Sequence, residues 1–172
     1  MSPEATITHY YVPVRGGCVH KRPPERWNLL PSDRQIPNCA VLYTDGASSG
    51  NPGPAGAGYV LVDAHGDLLA EDSLPLGRTT VGVAEYSALI AGLSAALNHG
   101  VTRLQAISDS EFMCRQLQGR YRVRTPAIKP LFEKARTLVY KFEHFEIAHA
   151  GREHNERADS LAKGGARKSA GS

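Results

Sequence analysis

Beyond Asn38 the hydrophobic period of the chain switches once. Three short apolar runs come first, then one long helical stripe, and only after that do strands and helices alternate. Cys39–Thr44 has the pattern of a buried strand, and a loop rich in Gly, Ser, Asn and Pro follows over Gly46–Gly56. Ala57–Val62 and Asp67–Leu74 are predicted strands joined by a tight turn at His65–Gly66. The spacing of Tyr86, Leu89, Ile90, Leu93 and Leu97 predicts a helix over Val83–Asn98, stopped by Gly100. A strand at Thr102–Ile107, helices at Ser110–Gln118 and Ile128–Tyr140, a strand at Phe142–Ala148 and a helix at Asn155–Lys163 complete the order. A meander followed by alternation implies an α/β fold: a mixed five-stranded sheet, its first three strands antiparallel, with helices on both faces.

A chain of 172 residues suits one domain with a proper core. Residues 1–38 stand apart: they hold six of the eleven prolines and the single tryptophan, Trp27, without sustained periodicity. They are expected to form a partly disordered extension to a folded domain over 39–163, with a flexible basic tail over 164–172. The net charge of +3 is compatible with a polyanionic partner without demanding one. No apolar run reaches membrane-span length, and Met1–Thr8 lacks the basic and apolar pattern of a secretory leader. Cys18, Cys39 and Cys114 are scattered and odd in number, which fits reduced thiols in a cytoplasmic protein. Cys18, His20 and Cys39 do not have the spacing of a zinc site. A monomer is the expected state.

Four carboxylates occupy positions next to apolar ones, where a charge is costly unless paired or bound to metal. Asp45 follows the run Val41-Leu42-Tyr43 closely, and Glu85 lies on the sheet-facing stripe of the long helix. Asp109 ends the Leu104–Ile107 strand, and Asp159 lies in the last helix two residues before Leu161. Taken singly, Asp45 suits a turn, Asp109 a helix cap and Asp159 a helix surface. Together, at the ends of neighbouring elements, they suggest a cluster held by cations.

Four runs carry a resemblance to the ribonuclease H type 1 family. They are Tyr43-Thr44-Asp45-Gly46-Ala47-Ser48-Ser49-Gly50-Asn51-Pro52-Gly53-Pro54, Ala84-Glu85-Tyr86-Ser87-Ala88-Leu89, Ser108-Asp109-Ser110, and the stretch from His149 to Ala162 containing His154-Asn155-Glu156-Arg157-Ala158-Asp159. The resemblance covers about residues 39–163, with order and spacing intact. It implies a ribonuclease H-like fold and hydrolysis of the RNA strand of RNA–DNA hybrids, leaving 5′-phosphate and 3′-hydroxyl ends. It also implies that Asp45, Glu85, Asp109 and Asp159 hold two Mg²⁺ ions, with Mn²⁺ able to replace them; two-metal sites place the ions roughly 3.5–4 Å apart. His149, ten residues before Asp159, matches the family's histidine on the loop before the last helix, where it helps proton movement or product release; the competing reading is a surface histidine.

For the substrate, the resemblance implies contacts from Gly46, Ser48 and Asn51 in the minor groove, and from Arg78 and Thr80 to a DNA-strand phosphate. Asn51 could equally be a turn residue before Pro52, and Arg78 a plain surface charge. Two amides common in relatives are replaced here by Val81 and Gly82, and the long basic protrusion of some relatives is missing. In its place Arg120, Arg122 and Arg124 alternate, either as a phosphate clamp or as a solvated basic loop. The rival functions are a same-fold nuclease that also takes double-stranded RNA, a non-catalytic hybrid-binding module, and a domain of a reverse transcriptase polyprotein.

Overall fold

The computed structural model describes residues 8–11 and 38–171. Six strands form one sheet in the order β1-β6-β5-β2-β3-β4. They are β1 (Thr8–Tyr11), β2 (Cys39–Ser48), β3 (Gly53–Asp63), β4 (Leu68–Thr79), β5 (Arg103–Ser108) and β6 (His144–His149). The helices are α1 (Val81–Asn98), α2 (Glu111–Leu117), α3 (Lys129–Val139) and α4 (Glu156–Ala170). Strands β2, β3 and β4 form the antiparallel meander, and β2, β5 and β6 run parallel. The expected five-stranded mixed sheet is thus present. The N-terminal extension adds a sixth strand, β1, antiparallel to β6 with Thr8 opposite His149 and Tyr11 opposite Glu146. The rest of the extension, with Trp27, Cys18 and His20, lies outside the described residues.

Side chains of successive strand residues point to opposite faces. Leu42, Tyr59 and Leu61 join Leu89 and Leu93 of α1 in one apolar core, which α3 and Phe145 of β6 extend. The alternate residues of β3, Gly56 and Gly58, lie against α4 on the other face. Helices therefore cover both faces, as expected.

Three expectations need correction. The Gly46–Gly56 stretch is mostly paired strand, Gly46 opposite Ala57 and Ser48 opposite Ala55, leaving only 49–52 as the turn. Glycine and alanine carry weak strand propensity, so the pairing comes from the hairpin register set by its apolar half. The last helix does not stop at Lys163. It continues to Ala170, because Gly165 and Ala166 are buried, so residues 164–170 are not a tail. By length and mean hydropathy (1.3 over 18 residues) α1 does reach the span of a membrane; half of it is buried inside this fold, which accounts for its apolar character.

Candidate metal centre and its surroundings

The parallel strands β2, β5 and β6 end on the same side of the sheet, and acidic groups gather there. Asp45 lies within β2, Asp109 directly follows β5, and Glu85 sits in the first turns of α1. One carboxylate oxygen from each of Asp45, Glu85 and Asp109 lies within 4.8 Å of the others. Two glycines make the convergence possible. A Cβ on Gly46 would fall 2.3 Å from the backbone nitrogen of Glu85, so only glycine lets α1 approach β2 this closely. A Cβ on Gly58, the residue paired with Asp45, would fall 2.5 Å from the carbonyl of Ala158. That close approach brings α4, and with it Asp159, to the other side of the same strand pair.

The electrostatics are those of like charges crowded in a poorly solvated place. Asp45 is 4% exposed and Glu85 7%. Burial first, then repulsion from Asp109 and Asp159, pushes the Asp45 carboxyl up to about 8. Burial, then Asp45 and Asp109, pushes Glu85 up to about 9, against a hydrogen bond from the Gly46 backbone and the charge of Arg152. Glu85 Oε2 and Asp109 Oδ1 are buried and accept no hydrogen bond within the protein. Buried carboxylate oxygens without partners, facing each other at this range, fit a divalent cation of the hard, oxygen-seeking kind. Asp159 lies outside the tight trio. Its carboxylate takes a 2.6 Å bond from Lys163, one turn on in α4, and it is near enough to raise Asp45.

His149 ends strand β6 itself, not the following loop, because β6 runs one residue further than its apolar pattern suggests. In the parallel register it stands beside Ser108, and its Nε2 lies 3.2 Å from the carbonyl oxygen of Asp109. A carbonyl only accepts, so Nε2 is the donor and Nδ1 is left as the basic nitrogen.

Beside the acids runs a groove of about 240 Å³, lined in part by Asn51, Thr80, Gly82, Glu85, Phe112 and Thr125. Several expected substrate contacts are engaged within the protein. Asn51 Oδ1 accepts from the N–H of Val81, and the Thr80 side chain caps α1 by accepting from Val83. The Ser48 hydroxyl lies 3.0 Å from the carbonyl of Thr79 and against that of Gly50. Arg78 is exposed on the edge strand β4, opposite Pro54. Arg120, Arg122 and Arg124 are all exposed in an irregular segment, which is not a strand. Between them Tyr121 meets Phe112 at a tilt, ring centroids 5.6 Å apart, and Val123 packs on the core, so the arginines still alternate with anchored residues.

Two basic residues that bond the acids, Arg152 and Lys163, were not among those expected from the sequence. Arg152 donates to Asp109 Oδ2 at 3.2 Å from a 3₁₀ turn, although its side chain is 81% exposed. It lies inside the fourth quoted run, but nothing in the run marks its partner. Lys163 was findable, because it stands four residues after Asp159 on one helix.

A family profile described as "Reverse transcriptase-like" matches residues 43–165. The chain is 43% identical over 156 residues to a protein of Halobacterium salinarum named Ribonuclease HI, covering 91% of this chain and 68% of that protein. It is 41% identical over 123 residues to a bifunctional protein of Mycobacterium tuberculosis, covering 71% of this chain but only 34% of that protein's length. Among solved structures, LC11-RNase H1, isolated from compost and determined in complex with an RNA/DNA hybrid, superposes with a TM-score of 0.71 at 38% identity, covering 75% of this chain and 97% of that one.

Proposed function

Because the chain belongs to the ribonuclease H type 1 family, we propose that it is an endoribonuclease that hydrolyses the RNA strand of RNA–DNA hybrids with the help of divalent cations, Mg²⁺ in the first place. The observation that carries this reading is the convergence of Asp45, Glu85 and Asp109 within 4.8 Å, with Asp159 alongside. A module that only bound hybrid would have no use for buried carboxylates held at such electrostatic cost.

Asp45, Glu85, Asp109 and Asp159 are the residues that would hold the cations. Bound there, divalent cations supply charge neutralisation at the attacked phosphodiester and make a water acidic enough to act as nucleophile near neutral pH. The chain's own groups do the rest. The fixed backbones of β2, β5 and α1 hold the acids in place before substrate arrives, so little reorganisation is needed. His149 is held by Nε2 on the Asp109 carbonyl, which leaves Nδ1 as the nitrogen that takes up or returns a proton as the products form. Arg152 and Lys163 each balance one carboxylate from the solvent side. Arg78 and the arginines of 120–124 grip phosphates, which positions the duplex without reading bases.

Cleavage of matched RNA–DNA hybrid, double-stranded RNA and single-stranded RNA, each with and without Mg²⁺, tests the reading. Hybrid alone should be cut, in the RNA strand and with Mg²⁺, leaving 5′-phosphates. Val81 and Gly82 stand where amides would read the groove, and both lie at the N-terminus of α1, with Gly82 lining the groove. Comparable cutting of double-stranded RNA would make the broader nuclease the better description.

A further inference from the structure

The end of α4 reaches across the sheet to the strand that carries Arg78. Ser169 Oγ accepts from the backbone N–H of Leu76 at 3.0 Å and of Gly77 at 2.9 Å, and donates to the carbonyl of Ala55 at 2.7 Å. These three backbone groups meet where the register of β3 and β4 slips. Gly56 pairs with Pro75 and Ala55 with Gly77, which leaves Leu76 without a counterpart on β3. A bulged residue has no ladder partner of its own. The hydroxyl supplies one, and it can do so only because α4 continues to Ala170.

The next residues are Arg78, Thr79 and Thr80. Thr79 is tied from the opposite side, its carbonyl 3.0 Å from the Ser48 hydroxyl. Arg78 therefore projects from a two-residue stretch fastened by a serine at each end. Without the Ser169 fastening, the bulge lies on an edge strand where water can replace the lost bonds. The fold should survive, but the direction in which Arg78 leaves the strand would no longer be fixed.

We infer that Ser169 is a positioning residue for substrate: it fixes the bulged end of β4 so that Arg78 meets a backbone phosphate of the hybrid. The inference rests on the reading of Arg78 as a phosphate contact. Four variants decide it: Ser169→Ala, Ser169→Thr, Arg78→Ala and the double Arg78→Ala/Ser169→Ala. Steady-state cleavage gives KM and kcat, and fluorescence anisotropy with labelled hybrid in EDTA gives Kd without catalysis. Loss of these hydrogen bonds should raise KM and Kd by about three- to tenfold for Ser169→Ala, with kcat within about twofold and the melting temperature nearly unchanged. Ser169→Thr, which keeps the hydroxyl, should bind as the wild type does. In the Arg78→Ala background, Ser169→Ala should add almost nothing, because coupled residues are not additive. Wild-type KM and Kd in Ser169→Ala, or full multiplication of the two effects in the double variant, overturns the inference. An Arg78→Ala protein with unchanged Kd removes Arg78 as a phosphate contact, and the inference with it. A wild type that neither binds nor cuts hybrid overturns the functional reading itself.

Discussion

The acid cluster and the basic segment over 119–127 lie near one another and are built in opposite ways. The cluster draws its groups from β2, the end of β5 and α1, buries them, and crowds like charges together. The basic segment has no regular structure, exposes its arginines, and is anchored through Tyr121, Val123 and the backbone bond from Arg120 to the Arg115 carbonyl. Chemistry at a phosphodiester needs groups fixed within a fraction of an ångström, which only packed regular elements provide. Holding a polyanion needs charge in the right neighbourhood, which a loop provides at little cost to stability. Damage to the cluster should therefore appear in turnover, and damage to the basic segment in affinity.

The largest effect is expected from Asp45→Asn. Asp45 is the carboxylate that faces both Asp109 and Asp159, so its neutralisation should bring cleavage in Mg²⁺ below about a few per cent of wild type, since metal-assisted activation of the nucleophile is lost. Hybrid affinity in EDTA should remain, or improve slightly as a repelling charge is removed. More than a few per cent residual turnover would end the assignment of Asp45. His149→Ala should come next, slowing kcat by about ten- to a thousandfold without abolishing it, in keeping with a positioned proton-transfer group. A rate unchanged across the pH range would return His149 to a structural role, bonded through Nε2 to the Asp109 carbonyl.

A third effect reads the cluster through stability. Asp45 near 8 and Glu85 near 9 lie far above the roughly 4 of carboxyls in an unfolded chain. Between those values the folded, metal-free chain holds more protons than the unfolded one. Its stability should then fall as pH rises from about 4 to about 9. Mg²⁺ competes with those protons, so its stabilising effect should grow over the same window. Melting curves in EDTA and in MgCl₂ at several pH values check this, and Asp45→Asn should flatten the EDTA curve. A metal-free protein that becomes more stable with rising pH would contradict the crowding of the acids.

The same contrast governs what the sequence discloses. Strand and helix periods around Leu42, Leu61, Leu89 and Leu93 are strong because one core buries them all, and the acids show up as violations of those periods. Asp45 was legible for that reason, although its strand was not fully so: Gly46 to Ser48 extend β2 through register, not propensity. The reach of α4 to Ala170 was hidden because Gly164, Gly165 and Ala166 look like a frayed end. They are small because α4 lies close on β3 and β4, and a Cβ on Gly165 would fall 2.4 Å from the carbonyl of Leu74. The partner of Arg152 and the clamp by Ser169 depend on contacts across 43 and up to 114 positions of chain, which no local pattern encodes.

The smallest effect on turnover is expected from the basic segment, and it completes the comparison. Arg120, Arg122 and Arg124 alternate with two held residues: Tyr121, against Phe112 at the surface, and Val123, against the core. All three arginines are exposed, within reach of a polyanion without requiring a strand. Thr125 and Phe112 line the groove beside Glu85, so the segment lies along its rim. Each phosphate contact releases counterions on binding, so replacing all three arginines with alanine should flatten the slope of log affinity against log salt by roughly 0.7–0.9 unit per lost contact. The variant should bind hybrids of different sequence more weakly by the same factor, since phosphate contacts carry no base information. KM should rise while kcat stays close to wild type, because Asp45, Glu85, Asp109 and Asp159 are untouched. Titrations of one hybrid at several salt concentrations, for wild type and variant side by side, give the two slopes. Parallel lines would mean that these arginines form a solvated loop only, and that the grip on the backbone lies elsewhere, with Arg78 at the end of β4 as the next residue to test.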